Sequence, residues 1–356
     1  MKAKKTLSSF QKIIEPLIEE SFAGAEAQAQ QISPVAAEAI NLLKEYTLRK
    51  AKRLRAAFIY YSYLMLGGDD KSAILNASIS IEILHAYLLI HDDVMDQDSL
   101  RRGEPTMHKI YERIHAGQHF LHDAAHFGES MAISLGDVGA HLANKQLIDS
   151  NFPSDRLIKA ASKFNNQIAT VGYGQMLDIL SSVKSSVTED DVMQVHRYKT
   201  ASYTYETPLH VGAILAGANE KDLEDLSGYA VPAGIAFQIQ DDILGMFGDE
   251  EKLGKPNISD LREGKNTLLI LKALEKANPS QKKTIVGALG NSEVSDAQAD
   301  EVRQIIRETG SLEYSKSLAV ELVKKAKEAL SGKTDWTGEG RDFIDGIADY
   351  MIEREF

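Results

Sequence analysis

Four aspartates lie within one short stretch of the chain, HDDVMDQDSLRRG, which runs from His91 to Gly103. Asp92 and Asp96 are four residues apart, so on a helix both carboxylates project from one face, with Cβ atoms about 5–6 Å apart. Hard oxygen ligands at this spacing suit Mg²⁺, which keeps several waters and completes its shell with phosphate oxygens. The spacing therefore predicts a magnesium site that takes a phosphate-bearing ligand.

A second acidic pair, Asp241-Asp242, also follows directly on an apolar stretch. Acids near a helix C-terminus oppose the helix dipole, and carboxylates at the edge of an apolar core are costly unless something compensates for their charge. A divalent cation would compensate for both effects. We expect this pair to form the facing half of a metal cluster, although the spacing alone does not show that the two acidic stretches meet.

Two further acidic pairs fit ordinary helix caps. Asp69-Asp70 follows two glycines and precedes a helical pattern, and in TEDDVMQ the N-cap Thr188 is followed three residues later by Asp191. Such acids lie in the first turn, where the helix dipole favours negative charge. The pattern predicts a structural role for both pairs.

Basic residues accompany both acidic stretches. Arg101 and Arg102 follow the first one, and guanidinium groups bind phosphate with two parallel hydrogen bonds. In KAKRLR, Lys52 and Arg55 are spaced to share one face of a predicted helix. The loop GKPNISDLREGKNT adds two more cations, Lys255 and Lys265. Because these clusters occur in a chain of net charge −12, they indicate a polyanionic ligand, and a diphosphate fits best.

Composition narrows the class of protein. The net charge of −12 argues against a nucleic-acid partner, and the chain has no cysteine for disulfides or thiolate metal sites, which suits the cytosol. The N-terminal MKAKKTLSSFQKII lacks the apolar region of a secretory signal. The apolar run AAFIYYSYLMLGG is too short and too rich in tyrosine to span a bilayer. We expect a cytoplasmic protein without an integral membrane segment.

Helical periodicity extends along most of the chain, and no linker or repeat divides it. We predict one all-α domain over residues 1–356, with about ten or more helices. Two stretches, LNASISIEILHAYLLI and LSGYAVPAGIAFQI, are apolar nearly all round and predict buried core helices that end in the acidic pairs. Before the C-terminal segments, the predicted helices cover residues 7–22, 33–66, 71–97, 124–150, 154–182, 189–218 and 220–247.

Taken together, these motifs resemble a known family, the trans-isoprenyl diphosphate synthases or polyprenyl synthetases. HDDVMDQDSLRRGEPTMH is similar to the family's first aspartate-rich motif, and FQIQDDILGMFGDEEKLGKPNISDLREGKNT to its second motif and lysine loop. HFGESMAISLGD and YKTASY also match in order and spacing. The resemblance extends from about Lys50 to about Thr267, and it implies a helical bundle around a central cavity.

The resemblance also implies roles for individual residues in a prenyl transfer. The implied Mg²⁺ ligands are Asp92, Asp96 and Asp241, with Asp93 and Asp242 in support. The implied allylic diphosphate site contains Arg101, Lys199 and Lys255, with Lys265 nearby. The implied isopentenyl diphosphate site contains Lys52, Arg55, His85 and Arg102. Thr200 and Gln238 would present oxygens near the developing carbocation, and the family is usually homodimeric.

The chain departs from the family pattern at two places. Gly245 takes the last position of the second motif, which usually reads DDxxD. Lys50-Ala51 replace the two glycines that usually open the first basic motif. We expect the second motif to be complete with glycine, so that restoring aspartate at 245 changes turnover by less than about tenfold.

Product length is expected to depend on the helix before Asp92. By resemblance, a bulky residue five positions before the first aspartate limits elongation, and that residue is Tyr87, with Leu84 and Leu88 nearby. A ring there lies about 7–8 Å along the helix from the metal site. We expect a short product, twenty carbons first and fifteen second. The alternative is that Tyr87 is ordinary core packing.

Three other functions stay open from the residues. His115, His119, His122 and His126 follow a 4-3-4 spacing that could ligate a metal, as an HD-type phosphohydrolase requires. The favoured interpretation is a polar insertion before the HFGES helix, since Gly117 weakens a helix there. A regulatory subunit of the same fold would lose first-motif acids, and a terpene cyclase would lack Lys52, Arg55 and His85. Because this chain keeps these groups, a synthase is favoured.

Overall fold

The computed structural model describes residues 2–184, 186–249 and 257–353, and their regular structure is almost entirely helical. The first helices are α1 (Lys2–Ser21), α2 (Ala23–Ile32), α3 (Pro34–Leu48), α4 (Leu54–Met65), α5 (Lys71–Met95), α6 (Met107–Gly117) and α7 (Ala124–Ile148). A two-stranded hairpin, β1 (Leu100–Arg101) and β2 (Glu104–Pro105), lies between α5 and α6. The all-α fold predicted from periodicity is confirmed.

The rest of the chain continues the bundle. Its elements are α8 (Ser154–Val183), α9 (Glu189–Val195), a π-helix (His196–Glu206), α10 (Thr207–Ala216), α11 (Glu220–Phe247), α12 (Ser259–Arg262), α13 (Leu268–Lys276), α14 (Pro279–Ala288), α15 (Asp296–Glu308), α16 (Ser311–Ser331) and α17 (Gly338–Glu353). As predicted, α5 and α11 are core helices, and α5 packs on α7 while α11 packs on α16 and the π-helix.

Helix α5 is apolar because it is central to the core. Among the described residues it is the one helix long and apolar enough to cross a membrane, and 67% of that apolar window is buried inside the protein. The two capping predictions are confirmed at its start and at α9. Asp70 accepts from the Ala73 amide, and Thr188 and Asp191 form a reciprocal capping box.

The single helix predicted over 33–66 is wrong, because the chain breaks between α3 and α4. Arg53 has a left-handed backbone with φ 54° and precedes the first turn of α4. Its buried side chain stabilises the break by donating to the Thr47 carbonyl at 2.8 Å and to Glu82 at 3.2 Å. Lys52 therefore lies before the helix that carries Arg55, and the two do not share a helical face.

The predicted helix 189–218 is also divided, into α9, the π-helix and α10. π-Helical turns are rare and usually single, and they occur frequently at functional sites. Glycines on the neighbouring helices leave room for this wider helix. A Cβ on Gly174 of α8 would lie 2.3 Å from the backbone nitrogen of Lys199, and a Cβ on Gly234 of α11 would lie 2.6 Å from the Ala201 Cα. The π-helix is thus held closely against both helices.

Candidate active site

One cavity of about 440 Å³ brings most of the predicted site residues together. It lies where α4, α5, α8, the hairpin, the π-helix and α11 meet. The predicted residues that line it are Arg55, His85, Asp92, Arg101, Arg102, Lys199, Thr200, Gln238, Asp241, Asp242 and Lys265. The two acidic stretches, whose meeting the spacing could not show, therefore face one cavity.

Asp92 lies among cations at this cavity. Lys199 Nζ is 3.3 Å from Asp92 Oδ1, and the Arg101 guanidinium is 3.8 Å from Oδ2. Burial disfavours the charged carboxylate, but Lys199 and Arg101 outweigh it and hold the pKa of Asp92 below its usual value. Asp92 is therefore ionised at neutral pH and able to bind a cation.

Asp96 directly follows α5 and faces Lys265, which comes from the segment after the second acidic pair. Lys265 Nζ lies 3.3 Å from Asp96 Oδ2 and 2.5 Å from Glu263 Oε2. Burial, and then the neighbouring Asp92, raise the pKa of Asp96. Oxygens of Asp96, Asp98 and Glu263 lie within 4.8 Å of one another, close enough to share a cation. Lys265 is the positive group that faces two of these acids, Asp96 and Glu263.

Asp93 is fully buried beneath the site instead of lining the cavity. Its carboxylate accepts hydrogen bonds from the Tyr46 hydroxyl and, at 2.6 Å, from Arg101 Nε. Burial raises the pKa of Asp93 to about 6, although Arg101 opposes this shift. Arg101 also contacts Asp98 at 3.1 Å. Asp93 thus fixes the arginine that reaches Asp92.

A chain of hydrogen bonds joins the π-helix to the second acidic pair. Thr200 Oγ1 donates to Gln238 Oε1 at 2.6 Å, and Gln238 Nε2 donates to Asp242 Oδ1 at 2.7 Å. His196 Nε2 lies 3.1 Å from the other Asp242 oxygen. His196 was not predicted from the sequence, although it lines the cavity. These contacts orient Gln238 toward Thr200.

Asp178 of α8 is a second site residue that sequence reasoning missed. It lines the cavity, and its Oδ2 accepts from Lys199 Nζ at 2.6 Å. Burial opposes the charge of Lys199, but Asp92 and Asp178 hold its pKa above the usual value. Gly174, one turn before Asp178, was the available signal, because a glycine inside a helix often has a packing reason.

The opposite side of the cavity is rich in arginine. The Arg55 guanidinium stacks 4.2 Å from the centre of the Tyr203 ring and donates to its hydroxyl at 2.6 Å. That hydroxyl is 3.2 Å from His85 Nδ1, and Arg102 reaches His85 Nε2 at 3.4 Å. Burial, and then Arg55, hold the pKa of His85 well below its usual value. A neutral imidazole between two guanidiniums provides a site for an anion.

Burial, and then repulsion from Arg53, lower the pKa of Arg102 to about 10. The repulsion between Arg102 and Arg53 favours a bound anion, because the negative charge of the anion would offset it. This side of the cavity is therefore the electrostatic complement of the acidic side.

Some predicted residues lie away from the lining described above. Lys52 is in the break between α3 and α4, and Lys255 falls outside the described residues. Leu84 is buried, Tyr87 and Leu88 are partly buried, and it is Leu89 that lines the cavity. The Tyr87 ring packs edge-on against His91 at 4.8 Å. The product-length assignment stays a prediction.

The four histidines between the end of α6 and the start of α7 are not brought together as a metal site. His115 is buried and its Nε2 donates to the Leu121 carbonyl at 3.0 Å, while its ring packs on Phe120 and Phe127. In the part of the chain that the structure describes, the one group of three or more acids and histidines close enough to share an ion contains no histidine. These contacts favour the interpretation of the four histidines as part of a polar insertion.

Comparison with known proteins identifies the family of this chain. The family model described as polyprenyl synthetase matches residues 37–308. Geranylgeranyl diphosphate synthase of Sulfolobus acidocaldarius is 36% identical over 85% of this chain and 87% of its own length. A short chain isoprenyl diphosphate synthase of Methanothermobacter thermautotrophicus is 32% identical over 92% of this chain and 94% of its own.

A solved structure shows the same fold. Geranylgeranyl pyrophosphate synthase from Corynebacterium glutamicum, complexed with isoprenyl diphosphate and magnesium, superposes with a TM-score of 0.93 at 31% identity, covering 98% of this chain and 99% of that one. The motif resemblance, the family match and these relatives agree over most of the sequence. The chain belongs to the polyprenyl synthetase family.

Proposed function

We propose that this chain, a trans-prenyltransferase by its family, condenses isopentenyl diphosphate with an allylic diphosphate in a Mg²⁺-dependent reaction. The expected product is a short all-trans prenyl diphosphate, geranylgeranyl first and farnesyl second. The observation that carries the proposal is the single cavity lined by Asp92 and Asp241 on one side and by Arg55, His85 and Arg102 on the other. Relatives named geranylgeranyl diphosphate synthase support this product class.

The acidic side fits magnesium. Asp92, Asp96 and Asp241 would hold the ion with hard carboxylate oxygens, the donors that Mg²⁺ prefers. When bound, Mg²⁺ supplies positive charge that stabilises the departing diphosphate. The ionised state of Asp92, maintained by Lys199 and Arg101, suits this role.

The cations around those acids would hold the allylic diphosphate. Lys199, Arg101 and Lys265 each reach a first-motif aspartate within 3.8 Å, so a diphosphate bound at those acids through a metal would also meet these cations. Lys255 is proposed for the same role by resemblance. These groups would neutralise the charge that develops as the allylic C–O bond breaks.

The arginine-rich side would hold isopentenyl diphosphate. Arg55, Arg102 and neutral His85 present hydrogen-bond donors around one space, and Lys52 is proposed to join them by resemblance. The double bond of isopentenyl diphosphate would then attack the allylic carbocation. The proton lost afterwards would go to the departing diphosphate, which gives a product longer by five carbons.

The middle of the cavity would protect the carbocation. Thr200 and Gln238 are hydrogen-bonded to each other at 2.6 Å, and they would present oxygens to the positive charge. Leu89, Val192 and Phe237 also line the cavity, and such an apolar lining keeps water from quenching the cation.

A product assay tests the proposal. The chain is incubated with isopentenyl diphosphate and each allylic primer from five to fifteen carbons, with Mg²⁺ or with a chelator, and the products are sized. We expect Mg²⁺-dependent synthesis that stops at twenty carbons. Failure to extend any primer would favour a regulatory subunit, and a cyclic hydrocarbon product would favour a terpene cyclase.

We also propose a homodimer, as the resemblance implies. On α8, Tyr173, Met176, Leu180 and Val183 recur every three or four residues and are exposed. A second copy of the chain would cover this apolar stripe. Light scattering should give twice the 39.2 kDa chain mass, and Met176→Asp should weaken the dimer. A wild-type mass of one chain would contradict this. The single domain over 1–356 and the cytoplasmic location stay predictions.

A further inference from the structure

The π-helix His196–Glu206 carries three residues that contact both sides of the site. Lys199 reaches Asp92 and Asp178, and Thr200 reaches Gln238. Tyr203, farther along, joins Arg55 to His85. Because the α-helix is the usual state of such a segment, an eleven-residue π-helix must be fixed by its surroundings. The contacts at its ends are therefore informative.

A partly buried ion pair spans the π-helix from one end to the other. Glu206 is its last residue, and its side chain is only 6% exposed. Arg197, its second residue, donates to Glu206 through both terminal nitrogens, at 2.8 and 3.3 Å. The pair joins residues nine positions apart in this segment. A change from π to α geometry would rotate the two side chains relative to each other and strain this bidentate contact.

Glu206 also binds the helices on either side. Ser227 of α11 donates to Glu206 Oε1 at 2.7 Å, and Gln167 of α8 lies 3.4 Å from Oε2. Ser227 in turn lies 3.0 Å from Nε2 of the buried His210. We name Arg197, Glu206, Ser227 and Gln167 the Glu206 cluster. It joins the π-helix to α8, which carries Asp178, and to α11, which carries Asp241.

We propose that Glu206 is a positioning residue for prenyl transfer, which holds the π-helix in the geometry that presents Lys199, Thr200 and Tyr203 to the cavity. The inference rests on the site roles proposed above for Lys199 and Thr200. Glu206 does not line the cavity, so it acts through these three residues. A buried acid that serves packing alone would affect folding without changing how each folded molecule binds its substrates.

The test compares Glu206→Gln with Arg197→Met and Arg197→Lys. Glu206→Gln keeps the shape but removes the charge, and we expect kcat to fall about tenfold or more, with a raised KM for both substrates. Arg197→Met should have a similar effect, and the double variant should cost little more than either single change because the two act as one unit. Arg197→Lys should restore activity to within about threefold of wild type.

Asp225→Asn is the matched control. Asp225 lies on α11, two residues before Ser227, and pairs with Lys221 at 2.8 Å and with Lys333. The change removes a carboxylate from the same helix without touching the Glu206 cluster. Its turnover and KM values should match wild type. Thermal unfolding of every variant gives the folded fraction, so that rates are compared per folded molecule.

Several outcomes would overturn the inference. It is wrong if Glu206→Gln folds with wild-type kcat and KM, or if Asp225→Asn causes the same loss. If Glu206→Gln does not fold, Ser227→Ala decides, since it removes only one hydroxyl, which contacts Glu206 and His210. We expect its KM values to rise by about threefold, and unchanged values would reject the proposal. Inactive wild-type protein would reject the proposed function itself. If Lys199→Met loses activity while Glu206→Gln keeps wild-type activity, only the role of Glu206 is rejected.

Discussion

The Asp260 carboxylate lies where a side chain at position 245 would have to pass. A Cβ on Gly245 would be 2.7 Å from Asp260 Oδ2. Asp260 also lines the cavity, 3.9 Å from Lys265 Nζ. The second acidic motif thus lacks its last aspartate at a place where a carboxylate from α12 is already present.

Gly245→Asp should therefore bring no gain in turnover. The new carboxylate would meet Asp260, and two like charges in a partly buried site repel each other. We expect a change in kcat of less than about tenfold, under ~1.4 kcal/mol of barrier, together with a lower melting temperature. Gly245→Ala is the control that measures the steric part alone. A gain well above tenfold would show that the natural site is impaired.

Asp92→Asn should lower turnover by orders of magnitude and leave the fold intact. Asp92 is proposed as a metal ligand, and an amide is a poor substitute for a carboxylate on Mg²⁺. Stability should change little because Lys199 keeps its ion pair with Asp178 at 2.6 Å. Turnover is measured against Mg²⁺ concentration, with thermal unfolding in parallel.

The control for that experiment is Asp191→Asn, in the acidic pair that caps α9. Asp191 accepts from the Thr188 amide at 2.9 Å, and it does not line the cavity, although its neighbour Val192 does. Loss of a cap costs about 1 kcal/mol of stability, so this variant should lose some stability and keep its turnover. If Asp92→Asn kept near-normal turnover at saturating Mg²⁺, the metal assignment would be wrong.

Tyr87→Ala should lengthen the product. Tyr87 lies five positions before Asp92 on α5, and truncation would open space along that helix. We expect products beyond twenty carbons from an active protein, measured by chromatography of the dephosphorylated alcohols. Leu89, which lines the cavity, is the residue to change next if Tyr87→Ala has no effect.

Tyr111→Ala separates product length from packing. Tyr111 is a buried aromatic residue on α6 that packs on Phe127. Truncating it should cost about 3–5 kcal/mol of stability, as large-to-small aromatic changes do, without altering product length. A folded, active Tyr87→Ala enzyme with the wild-type product distribution would leave Tyr87 as core packing only.

Stability should fall as the pH drops below about 6.5, the usual pKa of histidine. Burial, and then the charge of Lys163, lower the pKa of His210 to about 4, against the attraction of Glu206. The native state therefore keeps His210 neutral, while the unfolded chain gains a proton. Because the unfolded state binds more protons between these values, His210 reduces the free energy of unfolding by about 2 kcal/mol at pH 5 relative to pH 7.

Denaturant unfolding of wild type and His210→Gln across pH 5–7 measures that contribution. Glutamine can still donate to the Leu223 carbonyl, which His210 contacts at 2.9 Å, but it does not titrate. The free energy of unfolding of the variant should depend less steeply on pH. The difference in slope should correspond to somewhat less than one proton taken up on unfolding. Parallel curves would mean that His210 is not held neutral in the folded protein.

Local sequence patterns predicted the elements that follow local rules. The core helices α5 and α11 are apolar nearly all round, and the caps at Asp70 and Thr188 follow short-range hydrogen bonding. The i, i+4 spacing of Asp92 and Asp96 placed both acids at the end of one helix. The break after α3 is stabilised by hydrogen bonds that Arg53 donates to the Thr47 carbonyl and to the carboxylate of the distant Glu82, and the contact with Glu82 has no local signature.

The π-helix and its partners could not be predicted from periodicity. The sequence 189–218 has an uninterrupted helical pattern, and a change from α to π bonding depends on the helices packed around it. Asp178 lies on α8 and becomes a site residue only because the π-helix brings Lys199 to it. The ion pair between Asp178 and Lys199 is a tertiary contact, so Gly174 was the one local sign of it in the sequence.

The ion pairs at the acidic side imply an exchange of partners when substrate binds. Lys199 and Lys265 each hold first-motif carboxylates within 3.3 Å. A diphosphate that recruits these lysines releases the carboxylates for a metal, and a metal that recruits the carboxylates releases the lysines. Each ligand thus removes a competitor of the other, and thermodynamic linkage makes that advantage reciprocal. Calorimetric titration of Mg²⁺ should give tighter binding with inorganic diphosphate present, and equal affinities would exclude the exchange.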